Sequence, residues 1–348
     1  MQKSLFIVPL VFIMLGFSAC DGGSGGDGSV TICTSNTMVG IYNTDEAALD
    51  VSVDGDMAIV PQGSVGITIF DITQRNRPIL VSRLYQFAEV YSARVHDDYI
   101  YAYLKKNADA KYYLRIIDIS DPDYPVTRSE IHMDKIETNI YMMKSNWIAF
   151  EGDYIHLLGQ INGIVGDYHI LDVSDKTNPI LQSSTDIDGF CGTFSAVNEL
   201  VIRDDLAYIG SYKGLDIIDF SDRSNPVLVS QTLSGCYYKS FDMNGDILYS
   251  AGGSNFYTFN IADPSNPIYS HSIVSATKYI LVSEVNGTAY TLGIDGEISI
   301  LDVADPSALK DTDNDIYVSP PSYRVVDDKG YLYVADDRGL KIIDTCIR

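Results

Sequence analysis

The chain has 348 residues, and 24 Lys and Arg against 47 Asp and Glu leave a formal charge of −23. A hydrophobic fraction of 46% supplies a full core and excludes bulk disorder. The acidity disfavours nucleic acid and anionic lipid surfaces as partners, because both reward positive charge.

The chain opens on MQKSLFIVPLVFIMLGFSAC. Lys3 supplies a short positive region, Leu5 to Phe17 an apolar run too short to span a bilayer comfortably, and Ser18 and Ala19 small residues before Cys20. This is a secretory signal over residues 1–19. Its ending resembles the lipobox of bacterial lipoproteins, with Phe17 where that box usually carries Leu. The resemblance implies that Cys20 is diacylated and becomes the mature N-terminus, so that the protein is exported and touches a membrane only through its lipid, in the periplasm or at the cell surface. Residues 20–29 then form a Gly-rich tether with nothing to bury. Gly22-Gly23-Ser24-Gly25-Gly26 matches a nucleophile elbow by letter, but follows no strand and opens no helix.

From residue 30 to 348 one pattern repeats. An apolar run, an acid and a turn recur at Ile69-Phe70-Asp71, Ile116-Ile117-Asp118, Ile170-Leu171-Asp172, Ile217-Ile218-Asp219, Phe259-Asn260, Ile300-Leu301-Asp302 and Ile342-Ile343-Asp344. A second marker precedes each: Gly55-Asp56, Asp97-Asp98, Gly152-Asp153, Asp204-Asp205, Gly245-Asp246, Gly287-Thr288 and Lys329-Gly330. Gly and Asp tolerate the positive φ of tight hairpins, and alternating apolar residues flank them, as in Ala207-Tyr208-Ile209. Abundant Tyr (25) and short apolar runs favour strands. Each repeat therefore predicts strand a, a tight turn, strand b, a loop, strand c, an Asp-rich turn and strand d. Seven such units at a period of roughly 40–55 residues predict an all-β, seven-bladed β-propeller of four-stranded blades. The segment Leu215-Asp216-Ile217-Ile218-Asp219-Phe220-Ser221-Asp222-Arg223-Ser224-Asn225-Pro226 resembles the LVIVD-repeat family of bacterial surface and periplasmic proteins. That resemblance implies the fold and brings no catalytic residues with it.

The seventh copy stops after its strand c, so its blade lacks one strand. The offset of strand d from the next turn marker places a strand at Thr37 to Asn43, which predicts that the N-terminal strand enters the last blade and closes the ring. With Cys20 lipidated, four cysteines are left to oxidise in an exported protein. Cys33 and Cys346 fall at neighbouring positions of the c–d turn and are expected to pair, replacing the covalent turn that blade seven lacks. Cys191 and Cys236 precede the inner strands of adjacent blades and form a second candidate pair, with two buried thiols as the alternative.

Turns a–b and c–d share one face, and loops b–c and d–a share the other. The turn aspartates read as backbone-bonding residues. Length variation concentrates on the second face, where function usually resides. The longest insertions are Leu104 to Leu114 and Gly159 to Tyr168, with His132 to Trp147 between them. Lys105, Lys106 and Lys111 beside Tyr112 and Tyr113, together with Tyr141 and Trp147, form the candidate ligand-binding patch for an acidic or carbohydrate-like partner. The five histidines lack zinc spacing, no C-x-x-C exists, and Asp311 to Asp315 lacks the Gly and Glu of a calcium loop. No metal, cofactor or catalytic set is expected. The leading expectation is a non-catalytic binding or scaffold protein for an envelope protein or glycan. The alternative is a polysaccharide hydrolase or lyase using acids over the axis, with Glu89, Asp186, Asp188 and Glu284 as candidates.

Overall fold

The middle two strands of each repeat are nearly continuous apolar runs, so both of their faces need cover. The computed structural model provides it by stacking the repeats side by side. It describes residues 37–84, 88–133, 148–161, 165–186, 197–211, 214–232, 240–252, 255–274, 282–285, 287–293 and 295–345. Among these residues all regular structure is strand, apart from a single short turn at Met133.

β1 (Thr37–Asn43) precedes the first complete blade, which is β2 (Ser52–Asp54), β3 (Met57–Pro61), β4 (Ile67–Asp71) and β5 (Ile79–Leu84). Blade two is β6 (Ala88–His96), β7 (Tyr99–Lys106), β8 (Tyr112–Asp118) and β9 (Val126–His132). Blade three is β10 (Ile148–Glu151), β11 (Tyr154–Ile161), β12 (Val165–Asp172) and β13 (Ile180–Asp186). Blade four is β14 (Val197–Arg203), β15 (Leu206–Ser211), β16 (Leu215–Asp219) and β17 (Val227–Thr232). Blade five is β18 (Ser240–Asn244), β19 (Ile247–Gly252), β20 (Asn255–Asn260) and β21 (Ile268–Val274). Blade six is β22 (Val282–Val285), β23 (Thr288–Leu292) and β24 (Glu297–Asp302), with an outer strand split into β25 (Lys310–Asp311) and β26 (Ile316–Tyr317). Blade seven is β27 (Ser322–Asp328), β28 (Tyr331–Asp336) and β29 (Gly339–Asp344), with β1 as its fourth strand.

Every sheet is antiparallel, and the seven stand in a ring with their first strands innermost. β1 spans the residues expected from the repeat offset. It pairs with β29 from Thr37↔Asp344 to Asn43↔Gly339. The first and last described strands thus lie in one sheet.

All seven a–b turns contain a left-handed residue: Gly55, Asp97, Gly152, Asp204, Gly245, Gly287 and Lys329. The carbonyl at each turn then accepts a hydrogen bond from the residue just after strand c, as in Ile72 to Asp56 (2.8 Å), Val173 to Asp153 (2.8 Å) and Thr345 to Gly330 (3.1 Å). The a–b and c–d turns are thereby tied together on one face.

Apolar clusters fill the spaces between blades. One runs from Tyr101 through Ile155 and Leu157 to Phe220, spanning blades two to four. Another joins Ala58 and Phe70 of blade one to Tyr333 and Ile342 of blade seven. The same strand-b position holds Ile59, Tyr101, His156, Tyr208, Tyr249, Tyr290 and Tyr333, all buried. Large aromatic rings suit this wedge, and each buried side chain of this size is worth about 1.5–3 kcal/mol.

A second set of contacts sits four residues after the Asp or Asn marker of each of the first six repeats. In blades one, three and four this residue is a cation that reaches the preceding blade. Arg75 donates to the Tyr333 hydroxyl (3.2 Å), Lys176 lies over the Tyr99 ring (5.4 Å) and Arg223 lies over Tyr154 (4.8 Å). Each is also held by the a–b turn acid of its own blade, Asp56, Asp153 or Asp205. In blades two, five and six the residue is Pro122, Pro264 or Pro306. Its carbonyl accepts from Ser82 (2.6 Å), Ser230 (2.7 Å) or Thr258 (2.7 Å) of the preceding blade. Two residue types, cation and proline, thus serve one seam position.

Candidate functional site

The turn face is structural. Asp71, Asp118, Asp172 and Asp219 each accept the backbone N–H two residues on, at 2.8–2.9 Å. Asn260 makes the same bond to Ala262 (2.9 Å), so the amide replaces the acid without loss of the turn. Asp175, Asp222, Asp263 and Asp305 repeat the arrangement one step later. Hydrogen bonds from Thr or Ser two residues on lower the pKa of Asp71, Asp172, Asp175, Asp219 and Asp305. Asp118 is held at about 2 by the Ser120 backbone, the Ser120 hydroxyl and then Arg128.

On the opposite face, the expected loop from Leu104 to Leu114 is mostly hairpin. β7 continues to Lys106 and β8 begins at Tyr112, leaving residues 107–111 as the turn. The second insertion is likewise strand to Ile161 and again from Val165. Strand alternation then divides the blade-two patch between two faces. Lys105 pairs with Tyr112 across the ladder and stands 5.8 Å from its ring centre. Tyr112 stacks on Tyr103 at 5.5 Å, and both pack with Tyr91 on the side of blade three. Lys106 and Tyr113 occupy the side of blade one, with the ammonium 4.3 Å from the ring centre. There Lys106 and Arg115 both bond to Glu130. Burial alone would raise the Glu130 carboxyl, but these two cations outweigh it and lower its pKa. Tyr113 donates to Asp109 (2.7 Å) and meets the His132 ring edge-on at 4.9 Å. Lys111 is exposed in the turn. Lys105 has no carboxylate within 4.0 Å among the described residues, so its charge is neutralised less than that of Lys106.

Several expected residues lie outside the described residues: Cys20, Cys33, Cys191, Cys236, Cys346, Tyr141, Trp147 and Asp188. Of the acids considered for the axis, Asp186 ends the outermost strand of blade three, whereas Glu89 and Glu284 lie on inner strands. Glu89 accepts a bond from the Tyr91 hydroxyl.

The acidic stretch at Asp311 to Asp315 interrupts the outer strand of blade six. Burial, then the charge of Asp315, raises the Glu297 pKa; burial, then Asp311, raises that of Asp315. Among the described residues no group of three or more His, Cys, Asp or Glu is placed to hold a metal.

Sequence reasoning passed over a polar layer at the innermost strands, whose blade-one member, Asp50, lies just before β2. Five residues before the left-handed turn residue stand Asp50, Ser92, Glu199, Ser240 and Arg324 in blades one, two, four, five and seven. Asp50, Ser92, Glu199 and Ser240 are at most 5% exposed. In blades two, four and seven a β-bulge lies just before this position, and bulges re-aim side chains. The signal available in the sequence was a polar residue at one fixed offset within otherwise apolar repeats.

The propeller fold recurs widely among solved structures. The computationally designed Ika8 protein matches with a TM-score of 0.59 and 11% identity, over 89% of this chain and 100% of that one. Sqt1 of Saccharomyces cerevisiae matches with a TM-score of 0.62 and 9% identity, over 89% and 98%. BamB of Moraxella catarrhalis matches with a TM-score of 0.57 and 14% identity, over 87% and 86%. At these identities the likeness is one of fold. No curated protein matches the chain. The LVIVD repeat model matches residues 47–85, 94–131, 146–187, 196–233 and 326–345. With just over half of its residues matched and seven blades built on the same turn chemistry, the chain belongs to the LVIVD-repeat family.

Proposed function

We propose that this protein is a non-catalytic binding platform of the cell envelope, tethered by a lipid on Cys20 and docking a protein or glycan through blade two. The observation that carries this reading is the Lys105–Tyr112 pair. It joins a cation without a carboxylate within 4.0 Å, among the described residues, to a stacked aromatic ladder on a chain of charge −23. Such a pair offers an acidic group an ion pair and a sugar face a flat ring. The solved structures of similar fold include one from the mitotic checkpoint complex, with a TM-score of 0.63 and 13% identity, over 92% of this chain and 98% of that one. A propeller used within an assembly is in keeping with a scaffold role.

The test uses the full chain in a bacterial host that processes lipoproteins. Fatty-acid labelling of the wild type, lost in Cys20→Ser, supports the anchor; equal labelling overturns it. Envelope extract is then passed over wild type, over Lys105→Glu with Lys111→Glu, and over Lys329→Glu on the turn face. A partner held by wild type and Lys329→Glu but lost from the double variant supports the blade-two site. Equal retention by all three removes the site from blade two.

A further inference from the structure

The axial layer contains buried donors that have no hydrogen-bond partner among the described residues. Arg324 Nε lies 3.9 Å from Asp50 Oδ1, beyond hydrogen-bond distance, while Asp50 Oδ1 accepts the Val51 N–H at 2.9 Å. Ser240 donates to Glu199 at 2.8 Å. Arg94 follows Ser92 by two residues on β6 and so shares its face. Burial and then the charge of Arg324 disfavour its guanidinium charge, while Asp50 and Glu199 favour it. Among the described residues Arg94 makes no ion pair, and the Nε atoms of both arginines are buried without a hydrogen-bond partner. The Ser92 hydroxyl, in a residue 1% exposed, is in the same condition.

Three buried donors without hydrogen-bond acceptors among the described residues, two of them on arginines whose like charges repel, are costly. Buried polar groups in folded proteins are otherwise almost always paired. Arginine presents a fixed fork of donors that matches the oxygens of a carboxylate or a phosphate. A hydroxyl beside the fork adds a further donor. The carboxylates of the layer are partly engaged elsewhere: one oxygen of Glu199 accepts from Ser240, and one oxygen of Asp50 accepts the Val51 N–H.

We propose that the innermost strands form a binding site for a small oxyanion, a carboxylate or phosphate group, held between Arg94 and Arg324 with Ser92 as an additional donor. The site is separate from the blade-two patch: it lies on the first strands of blades two and seven, whereas the Lys105–Tyr112 pair is on β7 and β8. The bulges at the layer in blades two, four and seven direct three of its side chains at a modest cost in strand pairing.

The probes are inorganic phosphate and acetate, each titrated into the full chain against chloride at matched ionic strength. Calorimetry gives affinity, and thermal unfolding gives the stabilisation that a ligand of the native state must confer. Saturable binding with a rise in Tm is expected for phosphate, acetate or both; whichever saturates identifies the group recognised. Arg94→Gln and Arg324→Gln are expected to weaken binding at least tenfold, with Lys329→Gln unchanged. Arg94→Lys keeps the charge without the fork, so it guards against a glutamine variant that fails to fold; it is expected to weaken binding measurably. The proposal is overturned if neither anion shows saturable binding beyond chloride, or if Arg94→Lys and the folded glutamine variants all bind as wild type does.

Discussion

Asp118 shows how one residue type carries this fold. Its carboxylate accepts the Ser120 N–H at 2.9 Å, the Ser120 hydroxyl at 2.7 Å and the Arg128 guanidinium at 2.7 Å. Its pKa falls from 3.8 to about 2. A carboxyl depressed in the folded state contributes stability above its unfolded pKa, and that contribution is lost as pH falls through the folded value. Asp118→Asn should therefore lower stability at pH 7 by about 1 kcal/mol, after allowance for the half-exposed Arg128. The difference should shrink between pH 4 and pH 2, which chemical denaturation at several pH values would show. An unchanged gap at pH 2 would mean that shape, not charge, holds the turn. The same reasoning explains why Asn260 serves in blade five, where it still bonds the Ala262 N–H but adds no pH dependence. The repeated Asp of these turns was legible as a structural residue, because its bond is to a neighbour two positions away and needs no tertiary information.

Among the elements, β1 has the most demanding fit. A Cβ on Gly40 would stand 2.1 Å from the Arg75 carbonyl oxygen in the c–d turn of blade one. Gly40 also follows the register shift at Met38 that seats β1 on β29. Gly40→Ala should thus destabilise by about 1–3 kcal/mol, the range for forcing atoms into a packed region. Hydrogen exchange should rise along β1 and β29 first. Uniform exchange, or no loss of stability, would show that β1 docks with more freedom than this contact allows. The span of β1 could be read from the repeat offset alone. The Gly40 contact could not, since it involves a turn reached only when the first and last described strands come together. The hairpin of blade two carries a related lesson. Lys105, Lys106, Tyr112 and Tyr113 read as one patch in a loop, but as strand residues they alternate between faces, and only Lys105 with Tyr112 faces blade three.

For the whole molecule, stability depends on seams that recur around the ring. The seam of blades three and four carries a buried polar set. Arg223 bonds Glu151 at 3.0 Å through Nε, and His156, wholly buried, stands 3.6 Å from the same carboxylate. Burial lowers the His156 pKa to about 4, so it stays neutral and shares a hydrogen bond with the Tyr168 hydroxyl at 2.5 Å. Removing Arg223 leaves Glu151 beside a buried imidazole without its cation. Arg223→Ala should destabilise by about 1–3 kcal/mol, and exchange should rise at the seam of blades three and four while blades six and seven stay protected. Equal loosening around the ring would show that the blades unfold as one unit and that the seam contact is not local.

By itself the amino-acid sequence determined the repeat, its strand order, the seven turns and the span of β1, because each rests on contacts within one blade or on a constant offset between blades. The tertiary structure decided what the ring brings together: cation or proline at each seam, the two faces of the blade-two hairpin, and Arg94 near Arg324. Those arginines are 230 residues apart in the numbering, roughly five repeats, and only closure of the ring sets blades two and seven on either side of blade one. Local patterning carries no record of such a distance, since the neighbours of an inner-strand side chain are set by geometry that belongs to the assembled ring.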